Sequence, residues 1–129
     1  MKIDLSDKTV LVTGANSGIG KAIAQGLLNA GAQVALHFNS NSDGASKLKE
    51  QFSDQCELFQ ADFNNVDEAI KLFEDVLSWG DTLDVLINNA GNAHGMDFIH
   101  EGDVEDWDMM IDTNVKGLLY VSKEVLKIM

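Results

Sequence analysis

The chain has 129 residues, of which 45% are hydrophobic and 23% charged, with a formal net charge of −12 and a single cysteine, Cys56. This composition is typical of one globular domain, and the excess of acids argues against a nucleic acid or an anionic membrane as partner, because both bind through Lys and Arg. One cysteine excludes an internal disulfide and a cysteine-based zinc site, and no apolar run has the length of a membrane helix or a secretory signal, so we expect a cytoplasmic protein without a metal.

Apolar, strand-like runs alternate with helical patterns along the chain. Strands are predicted at residues 8–12, 34–38, 57–61 and 83–88. Helices are predicted after the first strand, at residues 46–52, after the third strand, and from about residue 103 to the end. Strands that are nearly all apolar and alternate with helices are typical of a parallel sheet covered on both faces. The prediction is a three-layer α/β fold, a Rossmann-type sheet with strand order 3-2-1-4 and right-handed crossovers.

Helical spacing also predicts which face of each helix is buried. The predicted stripes are Ile19, Ala22, Ile23, Gly26, Leu27 and Ala30 in the first helix, Ala69, Ile70, Phe73, Val76 and Leu77 after the third strand, and Trp107, Ile111, Val115, Leu118, Ser122 and Leu126 in the last. Asn65 and Glu68 have the spacing of a capping box, and Gly80 is the expected end of the helix that they begin.

The glycine turn, TGANSGIG at residues 13–20, lies between the first strand and the first helix. In that context Gly14 can turn the chain sharply, Gly18 can let a pyrophosphate approach the backbone, and Gly20 can let the helix pack close to the sheet. The free amides and the positive end of the helix would hold the phosphates without a basic side chain. The alternative is a glycine-rich turn that binds no ligand.

Three motifs carry a resemblance to a known family. Residues 13–20 have the spacing T-G-x-x-x-G-x-G, NNAG at residues 88–91 follows the fourth strand, and DTNVKG occupies residues 112–117. Over all 129 residues the chain resembles the short-chain dehydrogenase/reductase family. The resemblance implies a dinucleotide-binding Rossmann domain over the whole chain and an NAD(P)-dependent oxidoreductase that moves hydride between the nicotinamide and a carbonyl or alcohol. Extended, epimerase-like relatives are the alternative among enzymes, although their glycine spacing differs.

The resemblance implies cofactor-binding residues at the ends of all four strands. They are Gly14, Asn16, Ser17, Gly18, Ile19 and Gly20 in the glycine turn, then Phe38 and Asn39, Asp62 and Phe63, and finally Asn89, Ala90 and Gly91. By analogy Asp62 binds the adenine amino group and Phe63 lines its pocket, while the NNAG residues flank the ribose. From the residues alone, a helix cap or Asx turn at Asp62 and an Asn-Gly turn at NNAG stay open.

Asn114 is the catalytic residue that the resemblance implies. It falls on the apolar stripe of the last helix, seven residues after Trp107. An unpaired amide on a buried face would cost roughly 1 to 3 kcal/mol, so it needs partners. In the family the matching Asn orders a water that leads to the active-site lysine. The alternative is a buried Asn bonded to the backbone of its own helix.

The preference between the two nicotinamide cofactors depends on the end of the second strand. An acid about 20 residues after the glycines would bind the ribose 2′-hydroxyl of NAD, but Phe38 occupies that place and the nearest acid is Asp43. The basic residue that often precedes the middle glycine for NADP is here Ser17. Residues 39–42, which read NSNS, could still donate hydrogen bonds. NADP is favoured, with NAD as the alternative.

The remaining titratable residues do not have the spacing of a metal site. His37, His94 and His100 are interpreted as surface or loop residues. Four acids at residues 103–108 favour a helix N-terminus over a metal cluster: Asp103, Glu105, Asp106 and Asp108.

The resemblance also implies catalytic residues that the chain lacks, a Ser and a Tyr followed four residues later by Lys, all beyond a fifth strand. Tyr120 and Lys123 are three residues apart and lie on the helix of Asn114, so they are interpreted as ordinary helix surface. We therefore expect the nucleotide-binding half of a longer enzyme, truncated before the fifth strand and inactive alone.

An open edge on the fourth strand and the apolar stripe of the last helix would favour self-association, so a homo-oligomer is expected. Two rivals to the enzyme remain open, a non-enzymatic NADP-binding module and a fragment that acts only through self-assembly.

Overall fold

Strands and helices alternate in the computed structural model, which describes residues 2–129; residue 1, included in the predicted domain, lies outside the described residues. The elements are β1 (Thr9–Val12), α1 (Gly18–Asn29), β2 (Gln33–Phe38), α2 (Asp43–Phe52), β3 (Cys56–Gln60), α3 (Val66–Gly80), β4 (Val85–Ile87), α4 (Val104–Ile111) and α5 (Leu118–Leu126). A 3₁₀ turn, Ser53–Gln55, follows α2, and a π-helical turn, Asp112–Gly117, joins α4 to α5. In the part of the chain that the structure describes, no helix is both long and apolar enough to cross a membrane.

The sheet has the order β3-β2-β1-β4 with every pair parallel, which confirms the predicted α/β topology. Val12 lies opposite both Leu36 and Ile87, so the carboxyl ends of three strands meet at one edge. β4 is shorter than the predicted 83–88 at both ends, and Asp84, just before it, bonds to Thr9 of β1 through its backbone N–H, which donates to the Thr9 carbonyl at 2.9 Å. The Asp84 carboxylate also accepts a hydrogen bond of 2.8 Å from the backbone N–H of Thr9.

Two apolar clusters cover the two faces of the sheet and complete the three layers. Alternate residues of β1 point to opposite faces, as the pleat of a strand requires. Val10 and Val12 pack in one cluster with Leu28 of α1, while Leu11 packs in the other with Val121 of α5. Because both faces are covered, β1 and β2 are buried along almost their whole length.

The buried face of α1 agrees with the predicted stripe only in part, since Ile23 and Leu27 pack against the core as predicted but other members do not. Ile19 is 74% exposed, and Ala22 and Gly26 also face solvent. The buried residues are Gly20, Ala24 and Leu28. Small side chains bring this helix close to the sheet, since a Cβ at Gly20 would collide with the carbonyl oxygen of Gly14. Spacing of large apolar residues misses such a face because Gly and Ala contribute little to the pattern.

The predicted capping box of α3 forms only in part. Asn65 caps the helix and accepts from the backbone N–H groups of Asp67 and Glu68, as predicted. The Glu68 carboxylate does not return the bond and accepts from the N–H of Asp62 instead, at 3.2 Å. The helix ends at Gly80, and the left-handed residue after it is Asp81, with φ 62°.

The last helix is interrupted where the sequence predicts a continuous one. The π-helical turn adds residues to the helical path and so rotates every later side chain relative to α-helical counting. The residues that reach the core are Gly117, Val121 and Val125. The predicted stripe remains largely at the surface, with Ile111, Val115 and Leu126 among its exposed members.

Candidate functional site

A cleft opens at the carboxyl edge of the sheet, above β1, β2 and β4. It consists of two adjoining pockets of ≈ 300 Å³ and ≈ 430 Å³. Both pockets are lined by Gly14, Asn16, Ser17, Asn39, Ala90 and Gly91. The first also has Phe63, and the second has Gly18, Ile19, Phe38 and Asn89. Of the cofactor-binding residues predicted from the sequence, Gly20 and Asp62 line neither pocket.

The glycine turn places three glycines in three different environments. Gly14 and Gly18 have left-handed backbones, with φ of +66° and +55°. A Cβ at Gly18 would meet no atom within 4 Å, so the backbone borders open space in the cleft. A Cβ at Gly20 would collide with the carbonyl oxygen of Gly14 and the side chain of Asn89. The turn therefore leaves its middle glycine accessible to a ligand and uses its last one for packing.

The N-terminus of α1 has unsatisfied donors that face this cleft. Ser17 occupies the N-cap position but its side chain accepts no capping bond, and no acid lies in the first turn. By contrast, Asn65 caps α3 and Asp103 caps α4, as predicted for these acids and amides. The first backbone N–H groups of any helix lack intrahelical acceptors. Together with the positive end of the helix dipole, those of α1 could hold an anion.

Thr13 and Asn89 bind the NNAG segment to the end of β1. The Asn89 amide donates to the carbonyl oxygens of Thr13 and Gly14, at 3.1 Å each. The Thr13 hydroxyl donates to the carbonyl of Ile87 and accepts from the N–H groups of Asn89 and Ala90. The sequence predicted a site role for Asn89 but none for Thr13. The signal that could have identified Thr13 is its hydroxyl at the end of the first strand, next to the glycine turn.

Asn114 lies in the π-helical turn, and Asn92 holds both ends of its amide. Its Oδ1 accepts from the Asn92 N–H at 2.8 Å, and its Nδ2 donates to the Asn92 carbonyl at 2.7 Å. The side chain is therefore not bonded to the backbone of its own helix, the alternative that the sequence left open. Gly91 makes room for it, since a Cβ there would lie 3.2 Å from Asn114 Oδ1. The pair fixes the loop after β4 to the last helix.

Asp62 and Phe63 follow β3 and have different surroundings. Asp62 forms the Asx turn considered from the sequence, because its Oδ1 accepts from the N–H of Asn64 at 2.9 Å. Phe63 is 4% exposed and contributes to the cleft. The π-helical turn lies directly against it, since a Cβ at Gly117 would be 2.5 Å from Phe63 Cβ.

Asn16 and Asn39, which both line the cleft, also make bonds outside it. Asn16 Oδ1 accepts from the N–H of Ala45 in the first turn of α2, at 3.0 Å. Asn39 Oδ1 lies 3.4 Å from the side-chain nitrogen of Gln60, an exposed contact. The amide of Asn16 therefore connects the glycine turn to α2.

Comparison with known proteins identifies this arrangement. Residues 8–129 match the family described as short chain dehydrogenase. The chain belongs to the short-chain dehydrogenase family. It is 36% identical over 117 residues to the NADP-dependent 3-hydroxy acid dehydrogenase YdfG of Escherichia coli K12, covering 91% of this chain and 47% of that relative. The chain thus spans about half the length of the curated relatives it matches.

Solved structures of other proteins superpose on nearly the whole of this chain. A serine dehydrogenase complexed with NADP+ has a TM-score of 0.83 at 35% identity, over 92% of this chain and 48% of that one. A 3-ketoacyl-(acyl-carrier-protein) reductase from Brucella melitensis complexed with NADH has a TM-score of 0.89 at 26% identity, over 97% of this chain and 51% of that one.

His37 is buried, so its prediction as a surface or loop residue was wrong. It lies in β2 and is 3% exposed. Its Nδ1 accepts from the Gly14 N–H at 3.0 Å, and its Nε2 lies 2.9 Å from the Ala61 carbonyl. Burial lowers the pKa of His37 to about 4, against the opposing effect of the Ala61 bond. The ring is therefore neutral at pH 7 and carries its proton on Nε2. His100 is exposed, as predicted.

Tyr120 also differs from its predicted place at the helix surface. It is half-buried and packs against the apolar cluster that contains Phe63 and Phe73. Tyr120 lines neither pocket of the cleft. Lys123, three residues later, is exposed, as predicted. The Tyr120 side chain thus packs against the apolar cluster beside α5.

Proposed function

We propose that this chain binds NADP and forms the cofactor-binding half of an oxidoreductase that transfers hydride between the nicotinamide and a carbonyl or alcohol. The uncapped N-terminus of α1, open to the cleft beside Gly18, is the observation that carries the proposal. The relatives support it, since one is named an NADP-dependent dehydrogenase and a similar structure contains NADP+.

The residues of the cleft fit a dinucleotide. The backbone amides at the start of α1 would hold the pyrophosphate, and the open space beside Gly18 would admit it. Phe63 would line the adenine pocket, and Asp62, which lies just outside the two pockets, would accept from the adenine amino group through the carboxylate oxygen that does not bind Asn64. Ala90 and Gly91 would flank a ribose, on the segment that Asn89 holds in place.

Bound cofactor would supply the hydride chemistry, and this chain's own residues would orient it. Asn114 fixes the loop after β4, and we propose that it also orders water beside the reacting atoms. Binding is the direct test of the proposal. Titration calorimetry of residues 1–129 with NADPH should show saturable binding, and no detectable binding would refute it.

NADPH is expected to bind about ten times more tightly than NADH, a difference of about 1.4 kcal/mol. In the described part of the chain, neither Asp nor Glu lines the cleft, so no carboxylate there repels a 2′-phosphate. Ser40 and Asn41 line it instead and could donate hydrogen bonds. Calorimetric titration with both cofactors measures the ratio.

The matched variant for this test is Phe38→Asp, which places an acid where NAD-binding chains carry one. It should reverse the preference toward NADH. Equal affinities in the parent, or tighter binding of NADH, would contradict the preference for NADP.

We propose that residues 1–129 form a homo-oligomer in solution. Within the described residues β4 pairs only with β1, and Val85 of β4 is 36% exposed. An open strand edge is a template for association, and exposed apolar residues of α4 and α5 add to it.

Light scattering of residues 1–129 should give a mass of at least twice the 14.0 kDa of one chain. Val85→Lys should lower that mass if the strand edge is used, and Val115→Lys if the helix face is used. A stable monomer of the parent chain would overturn the proposal.

A further inference from the structure

His37 connects three parts of the cleft that are distant in sequence. Its Nδ1 accepts from Gly14 in the glycine turn, and its Nε2 donates to Ala61 at the end of β3. Its ring stacks on Phe63 with centroids 4.3 Å apart and planes 6° apart. Its backbone carbonyl also accepts from the N–H of Ala15 at 2.8 Å. Two successive amides of the glycine turn therefore bond to one residue of β2.

Only one form of the imidazole can make both side-chain bonds. Gly14 N–H needs a lone pair on Nδ1, and the Ala61 carbonyl needs a proton on Nε2. A protonated ring would turn the Nδ1 acceptor into a donor that faces another donor. The shift of the pKa to about 4 arises from burial, with the Ala61 bond as its opposing cause, so the required neutral form persists well below pH 7.

The position of the ring relates it to a bound dinucleotide. His37 itself lines the cleft between Gly14 and Phe63. These two residues border the places proposed for the pyrophosphate and for the adenine. Because the rigid His37 ring is bonded to Gly14 and stacked on Phe63, it sets the distance between the two subsites.

We propose that His37 is a positioning residue for the cofactor, whose neutral imidazole fixes the glycine turn relative to the Phe63 side of the cleft. This inference rests on the proposed function. It predicts that His37 matters for ligands that span both subsites and not for ligands confined to one.

Two amide variants separate the two bonds of the ring. The oxygen of Asn in His37→Asn can take the place of Nδ1 and accept from Gly14. The longer side chain of His37→Gln reaches the place of Nε2 and can donate to Ala61, but leaves Gly14 unpaired. His37→Phe retains the stack on Phe63 and loses both bonds.

NADPH and adenosine 2′-monophosphate are the two probes, because the second lacks the pyrophosphate. We expect the dissociation constant of NADPH to rise about tenfold in His37→Phe and His37→Gln, because both lose the bond to Gly14 that orients the glycine turn. In His37→Asn, which keeps the Gly14 bond but loses the Ala61 bond and the ring stack, we expect a smaller rise of about threefold. Binding of adenosine 2′-monophosphate should be the same in all four proteins.

Thermal unfolding of each variant separates stability from affinity, and the Asn and Gln pair suffices if His37→Phe does not fold. Equal affinities of those two variants for NADPH, or a parallel loss of adenosine 2′-monophosphate binding, would overturn the inference. Nitrogen NMR of the parent should show the proton on Nε2 between pH 5 and 8, and a proton on Nδ1 would also overturn it. A parent that binds no NADPH would instead refute the proposed function, and the inference with it.

Discussion

Gly18→Val is expected to lower the affinity for NADPH at least about 100-fold, a loss of about 2.7 kcal/mol, while the sheet stays folded. Gly18 has a φ of +55°, and its missing side chain leaves open space in the cleft. A valine there would fill the space proposed for the pyrophosphate. It would also adopt a left-handed backbone, at a cost of roughly 1 to 2 kcal/mol, and so displace the amides that follow it.

Gly26→Val is the matched control for this substitution. Gly26 lies in the same helix, and a Cβ there also meets no atom within 4 Å, but its φ is not positive. Because Val is no worse than Gly inside a helix, this variant should keep both its stability and its affinity. Calorimetry measures the NADPH affinity of the two variants, and thermal unfolding measures their stability. Parent-like NADPH binding by Gly18→Val would show that the pyrophosphate lies elsewhere.

The strand order and the glycine turn could be predicted because their signals are local. Apolar runs of strand length separated by helices leave few topologies, and the observed order is the predicted 3-2-1-4. The glycine turn could be predicted for the same reason, since Gly14 and Gly18 both adopt left-handed backbone conformations that favour glycine. These features can be predicted from sequence because each depends on one residue and its neighbours in the chain.

His37 and the face of the last helix could not be predicted because they depend on distant residues. The sequence alone shows no hydrogen-bond partner for a histidine between Leu36 and Phe38, and an imidazole without partners is expected at the surface. In the fold its two ring nitrogens are bonded to Gly14 and Ala61, which are distant in sequence. The π-helical turn has no spacing signal of its own, yet it changes which residues of α5 reach the core. Tertiary contacts determine both features.

The other large effect concerns turnover. Residues 1–129 are expected to bind NADPH but not to consume it with ketones or aldehydes. Proton transfer by a positioned side chain contributes about 10²- to 10⁴-fold to a rate, and reduction of a carbonyl needs such a donor at the substrate oxygen. Tyr120 is the one tyrosine of the chain, but it packs in the apolar cluster under α5 and not in the cleft. The Asn114 amide is held by Asn92 and has no acidic proton to give.

NADPH absorbance against a panel of ketones and aldehydes measures this turnover, with calorimetry on the same sample to show that the cofactor is bound. Tyr120→Phe is the control, because removing a phenol that plays no part in proton transfer should leave the rate at the background value. Robust turnover by the parent that disappears in Tyr120→Phe, yet survives in Asn114→Ala, would contradict the assignment of both residues. It would mean that α5 moves in solution to bring the phenol to the cleft, since Tyr120 lines neither of its pockets in the folded chain.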